Sequence, residues 1–208
     1  MNIACKIFNR LRRIKYTHFN SHIAVKNGCI NGNNKTKLIL AEGSVINLNG
    51  NLTLNGQCLT YDNGRSSILR MDKNSVLNVK GDFSFCYGAD IVLLEGATLE
   101  LGKNGYVNVN CKIRCRNKIT IGDDGVIAHD FTVMDSDCHF LNGDRNTSPV
   151  VIGDHVWIGT RVTVLSGVTI GEGAVIGAGS VVKDDIPAHC LAVGVPARVI
   201  KENVEWEV

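Results

Sequence analysis

The chain has 208 residues, 44 % apolar and 20 % charged, with 22 Gly against three Pro; this excludes wholesale disorder, collagen and Pro-rich linkers and supports one good-sized core. No apolar run approaches the roughly 18 residues that a membrane-spanning helix needs. The net charge of +2 conceals a split, since the residues before Glu42, the first acidic one, carry +8 and the remainder −6.

At the N-terminus the positive charge is densest in Lys6, Arg10, Arg12, Arg13 and Lys15, interleaved with Ile3, Ile7, Leu11 and Ile14. That spacing predicts a short amphipathic helix with one apolar stripe and a basic back. Residues 1–30 are read as an arm or cap whose stripe covers the end of the core. The alternative is peripheral contact with an anionic membrane surface, where each Lys or Arg adds about 1 kcal/mol. The N-terminus lacks the apolar stretch of a signal peptide. The eight Cys contain no CxxC pair, so most are expected to be small apolar fillers in a reducing, cytoplasmic setting.

From about 38 to 187 a six-residue period governs the chain. Upstream it joins Leu40, Ile46 and Leu52, then Met71, Leu77 and Phe83, then Leu101, Val107, Ile113 and Ile119. A run two residues out of step follows, through Ile121, Ile127 and Val133. Downstream, Ile152, Ile158, Val164, Ile170, Ile176 and Val182 are followed four residues later by Val156, Val162, Val168, Ala174 and Ser180. Helices repeat near 3.6 residues and alternating strands at 2. A period of six suits a flat strand and a sharp corner, with three sides closing a triangular coil. Coils stack about 4.8 Å apart, aliphatic residues point inward, and Gly, Asn or Asp serves the corners. The prediction is an all-β solenoid of seven or eight coils.

One further step from Val133 lands on His139, an imidazole that would be costly to bury unpaired. Residues 140–149 have no six-residue pattern and are read as an external loop, the sort of excursion on which function concentrates. Asp135 and Asp137 precede His139, and a carboxylate beside an imidazole is a common general-base arrangement; both Asp could instead be corner residues. His129 and His155 are expected on the solvated surface. Trp157, one residue before an inward Ile158, should project outward as an interface or ligand platform. Residues 188–208 leave the repeat at Pro187 and Pro196 and are read as a C-terminal cap, with Val199-Ile200 in a last strand or short helix.

The stretches Ile152-Gly-Asp-His-Val-Trp-Ile-Gly-Thr160, Ser166-Gly-Val-Thr-Ile-Gly171, Ile176-Gly-Ala-Gly-Ser-Val-Val182 and Ala192-Val-Gly-Val-Pro-Ala-Arg-Val-Ile200 resemble the hexapeptide-repeat acyltransferases, in particular the maltose, galactoside and capsular polysaccharide O-acetyltransferases. The resemblance covers about 120–201 strongly, and 38–119 as repeats only. It implies a left-handed parallel β-helix, whereas the general preference for right-handed crossovers would give the other hand. It also implies a homotrimer that takes acetyl-CoA between neighbouring solenoids and acts on a carbohydrate, with no metal or nucleic acid.

The same resemblance makes His139 the catalytic base and gives Asp137 the task of orienting it or binding the sugar, with Asp135 as the alternative. Trp157, Gly159, Thr160 and Ala178 fall at coenzyme-channel positions, with a backbone N–H near Gly159-Thr160 facing the developing oxyanion. Lys183, Arg198 and Lys201 fall near its phosphates. Asp184 departs from the family pattern, which has Lys there. Rival readings are amino-sugar N-acylation, serine O-acetylation, a non-catalytic scaffold, and a zinc lyase built on His129, His139 and His155.

Overall fold

A computed structural model describes residues 15–18, 20–56 and 64–208; the expected helix around Ile3–Ile14 lies outside them. The described residues form 24 strands and no helix. Successive strands rotate around three sheets, which we call faces A, B and C. Face A runs through every third strand from β1 (Lys15–His18) to β22 (Val181–Val182), and face B from β2 (His22–Asn27) to β20 (Thr169–Ile170). Face C runs from β3 (Ile30–Asn31) through β21 (Val175–Ile176) to β23 (Leu191–Gly194) and β24 (Ala197–Lys201). All ladders are parallel except β23–β24. The eight strands of face A mark eight coils.

All residues of the six-residue register named above line the interior, each 0–1 % exposed. The two-residue slip near Ile121 has a simple cause. Most upstream strands are four or five residues long and turn two side chains inward, as Ile119 and Ile121 do in β14 (Lys118–Ile121). A register can pass from the first inward position to the second without interrupting the stack. Downstream strands shorten to two residues, and the period becomes clean. Corners follow the same economy. One edge column stacks Asn104 (φ 57°), Asp124 (56°), His155 (51°), Gly173 (66°) and His189 (53°); Asn and Asp tolerate this left-handed conformation at low cost, which explains the scarcity of Gly upstream.

Three boundaries differ from expectation. Strands β1–β3 pair with the next coil, Tyr16 against Leu38 and Ile23 against Ile46, so the solenoid already includes residues from Lys15 on and the separate arm shrinks accordingly. Coils advance by 18 to 22 residues in most places, but Thr36 pairs with Ser67 and Thr132 with Thr163. The chain therefore makes two excursions, and the second begins at Asp135. Third, only the β23–β24 hairpin ends face C. The residues after it turn back along the prism, where Val204 N–H reaches the His189 carbonyl at 2.8 Å. Of the cysteines, Cys111, Cys115 and Cys190 are the buried free thiols expected as fillers, and burial pushes Cys111 up to about 12. Cys86 departs from that reading, being disulfide-bonded.

Candidate active site

A groove of about 600 Å³ lies on face C. Its floor is an outward column of Trp157, Val175 and Leu191, held in register by the ladders of β18 (Trp157–Ile158), β21 and β23. Trp157 is 43 % exposed, as its place before an inward residue requires. Beyond the column the floor is bare backbone at Gly159, Thr160, Gly177 and Ala178. A Cβ on Gly159 would sit 2.7 Å from the Ala178 nitrogen, so only Gly lets these coils approach. The Gly159 N–H is committed to the Ile176 carbonyl at 2.8 Å, which corrects its expected availability to an oxyanion. The N–H groups of Thr160 and Ala178, on successive coils, carry no hydrogen bond to any other described residue.

The wall of the groove is the returning tail, Asn203–Trp206, which sequence reasoning missed. Trp206 stacks on His155 with ring centroids 4.1 Å apart and planes at 6°. Its Nε1–H donates to the His155 carbonyl at 3.0 Å, while His155 Nε2 and the Trp206 carbonyl are 3.1 Å apart. His155 is thus a fastener for the wall and not bare surface. Tail and corner meet across 51 residues of sequence, and no local pattern marks the pairing.

Of the seven residues assigned to the coenzyme, Trp157, Gly159, Thr160, Ala178 and Lys201 line this one groove, and Lys183 and Arg198 do not. Those two converge instead on Asp184, at 2.9 Å from Lys183 Nζ and 2.7 Å from Arg198 Nη1. The hydrogen bond from Lys183, then that from Arg198, holds the Asp184 carboxyl below its usual range.

The excursion after β16 (Thr132–Met134) is an ordered ribbon. Ser136 bridges Thr147 and Leu141 bridges Asp144, closing on Asn142-Gly143 with φ of 52° and 87°, the left-handed pair that a two-residue hairpin turn demands. His139 is exposed on this ribbon. No hydrogen bond joins it to Asp137, whose side chain is also exposed. Asp135 is fully buried and accepts the N–H groups of Arg116 and Asn117 at 2.7 and 2.8 Å. It is a corner brace with no surface to offer a sugar, and its substrate role is withdrawn. The ribbon springs from the edge between faces A and B, opposite face C, and none of it lines the groove. Among the described residues no three His, Cys, Asp or Glu side chains converge as metal ligands, so the proposed zinc trio does not assemble.

Residues 149–184 match the family described as bacterial transferase hexapeptide (six repeats). Two similar curated proteins are the galactoside O-acetyltransferase of Escherichia coli K12, 44 % identical over 112 residues, and the polysialic acid O-acetyltransferase of Escherichia coli O1:K1 / APEC, 35 % identical over 144. The first match covers 51 % of this chain and 55 % of the relative, the second 66 % and 44 %. The chain thus spans about half the length of these relatives. The solved polysialic acid O-acetyltransferase OatWY superposes with a TM-score of 0.75 at 25 % identity, over 94 % of this chain and 91 % of that one. The prism is accordingly a left-handed parallel β-helix.

Proposed function

We propose, from the match of its repeats to the bacterial transferase hexapeptide family and its similarity to curated O-acetyltransferases, that this chain transfers an acetyl group from acetyl-CoA to a hydroxyl of a carbohydrate. The observation that carries the reading is the convergence of Trp157, Thr160, Ala178 and Lys201 on one groove. A long, thin donor suits such a groove. The aromatic face and apolar column cover its methylene arm, the free N–H group of Ala178 meets one of its amides, and Lys201 supplies positive charge.

His139 is the base. Its imidazole takes the proton from the acceptor hydroxyl as that oxygen attacks the thioester carbonyl, and returns a proton to the departing thiolate, with no acyl-enzyme needed. The uncommitted Thr160 N–H serves the developing oxyanion. Because the ribbon leaves the edge opposite the groove, His139 serves the groove of a neighbouring copy in a cyclic homotrimer. Replacing His139 by Ala should lower acetyl transfer to a sugar acceptor at least about 100-fold, while calorimetry still detects acetyl-CoA binding. Undiminished transfer by the variant would refute the base assignment.

A further inference from the structure

Two indoles stand at one end of the groove on face C. Trp157 and Trp206, the two tryptophans of the chain, have ring centroids 6.0 Å apart with planes at 45°, and both line the groove. The segment that carries Trp206 belongs to no strand, yet its ring is pinned. It lies flat on His155, its Nε1–H is tied to the His155 carbonyl, and its own carbonyl meets His155 Nε2. His155 is fixed in turn, with a left-handed φ of 51° and an N–H that donates to the Asp123 carbonyl at 2.7 Å. A corner of the prism thus holds an indole at a set height.

That height is the level of Thr160. His155, Trp157 and Thr160 follow one another on a single coil, whereas Ala178 lies one coil further on and Leu191, with Lys201 paired to it, two. On the reading proposed above, Thr160 meets the oxyanion and Lys201 the charged end of the donor; the inference rests on that reading. The acyl group, bonded to the carbonyl carbon, is then beside the two indoles. We propose that Trp206 is a specificity-determining residue for the donor: with Trp157 it forms a rigid aromatic wall that admits acetyl and excludes longer acyl chains. Extra methylenes against a packed wall force side chains or backbone to move, and displacing Trp206 breaks its stack and both hydrogen bonds at once. His155 acts through Trp206 and is a positioning residue.

The test follows CoA release by the full chain from acetyl-CoA and from butyryl-CoA, with a panel of oligosaccharide acceptors. Butyryl adds two methylenes, and one misfit methylene is worth about 10- to 200-fold, so wild type should prefer acetyl-CoA in kcat/KM by at least about 100-fold. Trp206→Ala should cut that preference at least about 10-fold. Trp206→Phe leaves a smaller ring on His155; His155→Asn suits a left-handed corner but drops the stack and the bond to the Trp206 carbonyl. Each should cut the preference severalfold. Both donors are compared within one preparation, so loss of folded protein cancels, and either milder variant decides the matter should Trp206→Ala not fold. Equal use of both donors by wild type, or an acetyl preference unmoved in the variants, would overturn the inference. If wild type transfers neither acyl group to any sugar, the transferase reading fails and the wall with it; if acetyl transfer is robust while the preference is unmoved, only the role of Trp206 falls.

Discussion

Asp184 sits between the two cations that family resemblance assigns to the coenzyme phosphates, and it occupies both. All three side chains are about half exposed, so each pair is weak and screened by salt. Weak pairs are easily exchanged, and a phosphate carries more charge than the carboxylate it would displace. The depressed carboxyl stays ionised above its unfolded value near 3.8 and releases the cations only as pH falls through its still lower folded value, so the competition operates fully at neutral pH. Asp184→Asn should therefore lower the KM for acetyl-CoA severalfold with kcat unchanged, and the gain should fade as ionic strength rises beyond about 0.15 M. Arg198→Ala should raise that KM. Steady-state kinetics at two salt concentrations decide it; an unmoved KM in both variants would remove these cations from the coenzyme site. Residues in corners were only partly legible. Asp135 reads equally well as ligand or turn residue, because spacing does not reveal that two N–H groups of the preceding coil wait for its carboxylate.

On the proposed reading the ribbon is the element that carries the base, and its construction suits a loop that must hold an imidazole steadily. Asp135 anchors its root, the Ser136–Thr147 bridge ties its legs, and the Asn142-Gly143 turn sets the twist. Interruption of the repeat at His139 was legible because a six-residue register leaves nothing else to explain a polar residue at an inward step. The hairpin was also written in the chain, since Asn-Gly between two short arms is a strong turn signal; reading 140–149 as an external loop left it unused. The Trp206 wall was not legible, as an irregular tail gives no period and its partner lies two coils back. Gly143→Ala tests the ribbon as a positioning element. A Cβ there meets nothing within 4 Å, so the cost is confined to the left-handed backbone, about 1 kcal/mol. Acetyl transfer should drop severalfold through kcat, with the KM for acetyl-CoA and the melting temperature nearly unchanged. A large fall in melting temperature with full kcat would mean that the ribbon braces the prism and positions nothing.

At the scale of the molecule, the rotation of strands through three faces decides what one chain can and cannot do. A triangular prism puts each edge opposite a face, so a ribbon rising between faces A and B is as far as the cross-section allows from a groove on face C. Lengthening the ribbon would not help, because fifteen residues from Asp135 to Pro149 are spent on a closed hairpin whose legs bridge each other. In the proposed homotrimer a second copy, rotated about a parallel axis, would present the edge of one prism to the groove of the next. This has a consequence that activity of single variants does not reveal. Let His139→Ala lack the base and Ala178→Trp, an exposed groove position, lack the donor site. Each alone should be inactive. Co-expressed in equal amounts they assemble at random, and a site is competent when a wild-type ribbon meets a wild-type groove, which restores about one quarter of wild-type activity. If both halves of the site belonged to the same chain, every site in the mixture would carry one defect, and the mixed oligomers would be as inactive as their parents.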